Sequence, residues 1–175
     1  MGSRERDRLG TAVKFCISGL GLAALYVLFD FAVDFRPAQI RDSYRFDIRS
    51  LPEDRAGILR QDNLSILVIR RSAKTIARLQ ETDTRLQDPQ SRHSDQPSFA
   101  ANPLRSKYSE FFVSYALGTD IGCTLEVLEF ELREICGSAR YDFAGRALEG
   151  DREFQNLAIP DYNFSDDFST LTIRP

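Results

Sequence analysis

The sequence predicts a mainly β protein: an antiparallel β head with one short helix and one long loop, carried on a single N-terminal transmembrane helix. A continuous apolar run lies near the N-terminus, and short apolar segments rich in β-branched residues recur after residue 43. A polar stretch at 81–106 interrupts those segments. The 175 residues leave room for one modest domain in addition to the anchor.

The apolar run from Phe15 to Val33 predicts the anchor. As a helix it would span roughly 28 Å, which matches the hydrocarbon core of a bilayer. Four basic residues precede the run: Arg4, Arg6, Arg8 and Lys14. Two acidic residues, Asp30 and Asp34, lie at its C-terminal end. The alternatives are a cleaved signal peptide, for which the run is long, and a buried soluble helix, for which it is too uniformly apolar.

The positive-inside rule orients this anchor. We divide the chain into an N-terminal segment 1–14 in the cytoplasm or matrix, a transmembrane helix 15–35, a tether 36–42 and a head 43–175. The expected location is a bacterial inner membrane with the head in the periplasm. The alternative is the mitochondrial inner membrane with the head in the intermembrane space.

Composition excludes several function classes. The net charge is −3 and charges of both signs are interspersed, so we expect no nucleic-acid partner. The single histidine, His93, excludes metal sites that need two histidines from one chain. Because it lies in a polar stretch, we expect it to be solvated. The chain has no glycine-rich phosphate loop, and we expect no enzymatic activity.

Short-range patterns predict the elements of the head. Apolar residues alternate with charged residues around Phe46, as in a half-buried strand, and the nearly all-apolar segment 64–69 suits a strand buried on both faces. Ser72 is expected to cap a helix that runs to about Gln80. The segment 81–106 is expected to be a long surface loop, disordered in part. We expect strands at 44–48, 64–69, 111–117 and 124–130, and further short strands near Tyr141, Leu157 and Leu171.

Four segments, in order, resemble the Rieske iron–sulfur subunit of quinol–cytochrome c oxidoreductases. They read SYRFDIRSLPEDRAGILRQDNLSILVIRRSAKTIARL, FFVSYALGTDIGC, YDFAGRALEG and LAIPDYNF. The first is similar to the opening strands of that family, the second to the strand entering the first cluster loop, and the last two to the closing segments. The resemblance implies a Rieske-like head whose cluster-binding-like subdomain covers about 111–150.

In that family, two boxes hold an iron–sulfur cluster: C-T-H-L-G-C and C-P-C-H-G-S. The first cysteine and the histidine of each box bind iron, and the remaining cysteines form a disulfide. The corresponding boxes here are 118–123, which reads GTDIGC, and 134–139, which reads EICGSA. The alignment places at the four ligand positions Gly118, Asp120, Glu134 and Gly137. The resemblance therefore implies a member without a cluster, and we expect no other cofactor and no bound metal.

The two cysteines of the boxes, Cys123 and Cys136, match the disulfide positions of the family, so the resemblance implies that they are bonded. The alternative is that they are two small buried thiols that are not bonded. Cys16 lies in the anchor, where we expect it to be only an apolar filler. Asp120 and Glu134 are poor iron–sulfur ligands. They would either bind a hard cation weakly or be two solvated acids at a loop tip.

Two further positions complete the comparison with the family. A proline-rich loop covers the cluster in that family, whereas here Gly150 is followed by Asp-Arg-Glu-Phe. Tyr141 matches a family tyrosine near a ligand cysteine, and without a cluster we expect it to be a packing residue.

A kept scaffold with replaced ligands indicates a structural role. The sequence predicts a non-redox accessory subunit of a membrane respiratory or photosynthetic electron-transfer complex, most simply a quinol–cytochrome c oxidoreductase or its supercomplex. Its partners would be the other subunits of that complex and the lipid around the anchor. The alternative is a membrane-tethered assembly factor or a periplasmic protein-binding module.

Overall fold

The computed structural model describes residues 2–34, 41–81 and 83–174, and the chain divides into two compact units, Met1–Arg41 and Asp42–Pro175. The first unit contains one helix, α1, Ser3–Asp34. Its segment Gly10–Ala32 is long and apolar enough to cross a membrane, and none of it is buried. This fits the predicted single-pass anchor. The helix begins at Ser3 rather than Phe15, because the polar residues ahead of the apolar run include good helix formers.

The predicted tether at 36–42 lies mostly outside the described residues, since only its last two positions are described. The second unit is therefore described by itself. Its strands are β1 Tyr44–Asp47, β2 Arg55–Gln61, β3 Leu64–Arg70, β4 Phe111–Tyr115, β5 Leu125–Val127, β6 Glu131–Glu134, β7 Arg140–Asp142, β8 Asp161–Phe164 and β9 Thr170–Arg174.

These strands form three antiparallel sheets, in the orders β1–β9–β8, β2–β3–β4 and β5–β6–β7. The predicted mainly antiparallel β fold is confirmed. Strand β3 is central in its sheet, and its residues 66–69 are fully buried, as the apolar run predicted. Strand β2 was not predicted. It is an edge strand and only partly buried, so its sequence lacks a clear alternation.

A short helix, α2, Ala73–Gln80, follows β3. Ser72 caps it as predicted: the Ser72 hydroxyl accepts a hydrogen bond from the Thr75 N–H at 3.3 Å. Leu79, a residue of this helix, is buried. The cap and the buried face together explain why this brief segment is helical.

The segment 81–106 is a loop in its described residues, as predicted, and several of these residues pack into the head. Its described residues include a 3₁₀ turn, Ser98–Ala100, and buried side chains such as Leu104. Arg105 is fully buried, and its guanidinium donates to the carbonyl oxygens of Gly145 at 2.9 Å and Leu157 at 2.7 Å. Arg105 therefore ties the described part of the loop to segments about 40 and 50 residues away in the sequence.

The third sheet forms the subdomain that the sequence predicted to resemble a cluster-binding domain. The expected strand at 124–130 is shorter, since β5 ends at Val127, and the next strand, β6, starts at Glu131 outside the predicted range. Strand β7 contains Tyr141 as expected, and β9 contains Leu171. The strand expected near Leu157 lies a few residues later, as β8.

Candidate functional site

Two neighbouring loops form the site that the sequence singled out; we call residues 118–123 and 134–139 the two-loop site. The first loop is closed by a hydrogen bond from the Gly118 N–H to the Cys123 carbonyl at 2.8 Å. The second loop begins at Glu134, the last residue of β6. Cys123 and Cys136 form a disulfide between the loops, with their Cα atoms 6.0 Å apart, so the predicted pairing is confirmed.

Glu134 is the central side chain of the two-loop site. It ends β6, where alternate residues face inward, and pairs with the buried Leu125 across the sheet. Its side chain is fully buried. The carboxylate accepts three backbone N–H groups of the first loop, from Asp120 at 3.0 Å, Ile121 at 2.9 Å and Cys123 at 2.8 Å. The interpretation of Glu134 as a solvated acid is therefore wrong.

Gly118 faces this carboxylate directly. A Cβ atom at position 118 would lie 2.7 Å from Glu134 Cγ and would overlap the carboxylate itself. The two positions that correspond to ligand cysteines in the Rieske boxes are thus occupied by one large acid and one residue without a side chain. The acid fills the space that the glycine leaves.

Asp120 and Gly137 repeat this arrangement at the two positions that correspond to ligand histidines. A Cβ atom at position 137 would lie 2.7 Å from Asp120 Oδ2. The Asp120 side chain is only 2% exposed, and it accepts the Ser138 N–H at 2.9 Å. Asp120 is not the solvated acid at a loop tip that the sequence allowed.

A third segment closes over Asp120. Arg152 lies 2.6 Å from Asp120 Oδ1, so a guanidinium neutralises the buried carboxylate. The Ser138 hydroxyl donates to Asp151 Oδ1 at 2.9 Å, which ties the same segment to the second loop. Gly150 is followed by Asp-Arg-Glu-Phe in the sequence, and no role was predicted for these residues. The one sequence feature that could have indicated this role is that these residues are charged where the Rieske family has prolines.

Tyr141 does more than pack. It is fully buried, and its hydroxyl accepts the Thr119 N–H at 2.7 Å. The Thr119 hydroxyl donates to the Gln155 carbonyl at 2.6 Å, so the Tyr141 hydroxyl in turn donates to Thr119 Oγ1 at 2.8 Å. Burial raises the pKa of Tyr141, although its hydrogen bonds with Thr119 act in the opposite direction. Tyr141 therefore fixes the start of the first loop.

The donor set of the two-loop site does not fit an iron–sulfur cluster. Such a cluster needs thiolate or imidazole ligands on its irons. Among the described residues, one group of His, Cys, Asp and Glu side chains could hold a metal ion: Cys123, Glu134 and Cys136, with ligand atoms within 4.8 Å of one another. Both sulfurs of that group are bonded to each other. His93 is exposed, as predicted, and lies in the loop 81–106.

A hard cation is also disfavoured between the two acids. The Glu134 oxygens face backbone N–H groups, and the Asp120 oxygens face an N–H group and a guanidinium. These donors already supply the positive charge that a cation would bring.

The chain is 28% identical over 118 residues to the ubiquinol-cytochrome c reductase iron-sulfur subunit of Allochromatium vinosum. This chain is similar to a Rieske-type iron–sulfur subunit. The match covers 61% of this chain and 57% of the relative, so the Rieske-like chain spans little more than half the length of that protein.

No protein-family model matches the chain. A chain of the solved structure "Hyperthermophilic respiratory Complex III" superposes with a TM-score of 0.48 at 17% identity, over 94% of this chain and 98% of that one.

Proposed function

We propose that this chain is a non-redox accessory subunit, structural in role, of a membrane electron-transfer complex, most simply a quinol–cytochrome c oxidoreductase or its supercomplex. The observation that carries the proposal is the environment of Glu134. A buried carboxylate occupies a position where the Rieske family has a ligand cysteine, and three amides of the facing loop bind it.

The side chains of the two-loop site argue for a role without electron transfer. Neither loop carries a histidine, and the two cysteines are joined to each other. The remaining candidate ligands, Asp120 and Glu134, are oxygen donors already bound by protein groups, and oxygen donors are poor ligands for iron–sulfur clusters. We propose that the subunit binds no cluster and transfers no electron.

The cleft beside α2 gives no support to an enzymatic function. A cleft of about 480 Å³ lies beside α2 and is lined largely by charged residues. Arg146 in this cleft contacts Asp142 at 2.7 Å and donates to the Leu79 carbonyl at 2.9 Å. The two most buried charges of the cleft, Arg146 and Asp142, are thus paired with each other rather than held free as acid or base groups. We propose that the chain has no catalytic activity.

The anchor and the similarity to a Rieske-type subunit support the membrane setting. The basic residues before Gly10–Ala32 favour an N-terminus in the cytoplasm or matrix and a head on the opposite side of an inner membrane. The head would contact neighbouring subunits there, and lipid would surround the anchor.

Native membranes extracted with a mild detergent provide the test. The chain is expected to comigrate at constant stoichiometry with a multisubunit complex through native electrophoresis and gel filtration. Iron analysis and electron paramagnetic resonance of the purified chain are expected to show no cluster. A Rieske-type signal or one cluster per chain would overturn the proposal. Association with immature complexes alone would instead identify the chain as an assembly factor.

A further inference from the structure

We propose that two acid–glycine pairs form a cofactor-free cross-link that replaces the iron centre as the tie between the loops. The pairs are Glu134 with Gly118 and Asp120 with Gly137. The inference rests on the proposed non-redox function. It adds a mechanism by which loops that a cluster holds in the Rieske family are held here by protein groups alone.

The first pair supplies most of the hydrogen bonds between the loops. Glu134 belongs to the second loop, and all three N–H groups that it binds belong to the first. A buried carboxylate is stable only when such donors compensate for its lost hydration. The geometry is that of an anion bound by a concave set of amides. Here the anion is a side chain of the neighbouring loop.

The second pair extends the cross-link to a third segment. Asp120 belongs to the first loop and binds the Ser138 N–H of the second. Arg152 then pairs with Asp120 from the segment after Gly150. The two acids therefore point in opposite directions between the loops, each from its own loop toward the other.

Glycine is required at the receiving position of each pair. A Cβ atom at 118 or at 137 would collide with the acid that arrives from the other loop. Among the described glycines, those with a positive φ are Gly122 and Gly145, so neither Gly118 nor Gly137 has this conformation. Gly118 and Gly137 are thus needed for space and not for backbone conformation, so an alanine there would be harmless if the facing acid were absent.

A double-mutant cycle on the full-length chain in detergent micelles tests this coupling. G118A is expected to lower Tm by about 5 °C or more, and E134A by a comparable amount. In G118A/E134A the clash no longer exists, so its Tm is expected to equal that of E134A within about 2 °C. The matched control is G57A, where a Cβ atom would meet only the flexible Leu51 side chain at 3.3 Å, and a small change in Tm is expected.

Additive effects of G118A and E134A, or a harmless G118A, would overturn the cross-link. If G118A yields no folded protein, recovery of folded protein in G118A/E134A is the equivalent positive result, and no recovery from a folded E134A parent overturns the proposal. The cycle of G137A with D120A repeats the test at the second pair, independently of Glu134.

Metal analysis of the same wild-type samples separates the two proposals. Stoichiometric iron in the natively purified chain would refute the non-redox function. Additive cycles in iron-free protein would refute the cross-link and leave the non-redox function intact.

Discussion

Replacement of Arg105 by methionine probes the tie between the loop 81–106 and the rest of the head. Arg105 is fully buried: its guanidinium donates to the Gln96 side chain at 3.1 Å and to the carbonyls of Gly145 and Leu157 at 2.9 and 2.7 Å. Methionine keeps much of the side-chain volume but removes every donor. The substitution therefore isolates the hydrogen bonds of the guanidinium from its packing.

The magnitude follows from two opposing contributions. Each hydrogen bond from a charged donor contributes about 1.5–3 kcal/mol. Against this, burial lowers the pKa of Arg105 from 12.5 to about 10, which corresponds to a cost on the order of 3 kcal/mol for the charged form. With three such bonds, R105M is expected to reduce the free energy of unfolding by about 2–5 kcal/mol.

Thermal unfolding of the full-length chain in detergent, followed by near-ultraviolet circular dichroism, measures the effect. A fall in Tm of about 5–15 °C is expected, together with faster tryptic cleavage within 81–106. R92M is the matched control, because Arg92 lies in the same loop but is exposed, and it is expected to change the free energy of unfolding by less than about 0.5 kcal/mol. A Tm for R105M within about 2 °C of wild type would refute the reasoning.

Three further predictions concern other ties within the head. Replacing Cys123 and Cys136 together by serine is expected to cost about 3 kcal/mol by the chain-entropy model, measured as a lower urea midpoint; an unchanged midpoint would contradict it. S72A removes the cap of α2 and is expected to cost about 1 kcal/mol in the same assay, whereas S72T, which keeps the hydroxyl, should retain most of the stability. Burial raises the pKa of Tyr162 to about 12, so the stability that its neutral form provides is present below about pH 10 and is lost as pH rises through about 12. Y162F is expected to move the midpoint of alkaline unfolding, followed by circular dichroism, to higher pH; an unchanged midpoint would count against this origin of the alkaline transition.

Local sequence patterns predicted the elements whose partners lie nearby or whose burial is complete. The apolar run around Gly10–Ala32 predicted α1, and the fully apolar stretch in β3 predicted a strand buried on both faces. Ser72 predicted the start of α2, because a helix cap acts within three residues. The short edge strand β2 escaped detection, since its partly exposed residues show neither alternation nor a continuous apolar run.

The resemblance of the two boxes to the Rieske family predicted the disulfide between Cys123 and Cys136, and the structure confirms it. The roles of the acids were beyond such a comparison. Glu134 and Asp120 are buried only because the chain brings amides and a guanidinium from other segments against them. In the sequence alone, a charged residue in a loop predicts exposure.

The sequence by itself therefore determined the anchor, the mainly β head and the identity of the residues at the two-loop site. Only the tertiary structure decided that Glu134 fits where Gly118 has no side chain, and that Arg152 reaches Asp120 across the fold. The physical reason is that space and charge compensation are properties of the folded arrangement. They depend on contacts between segments distant in sequence, so no local pattern of residues encodes them.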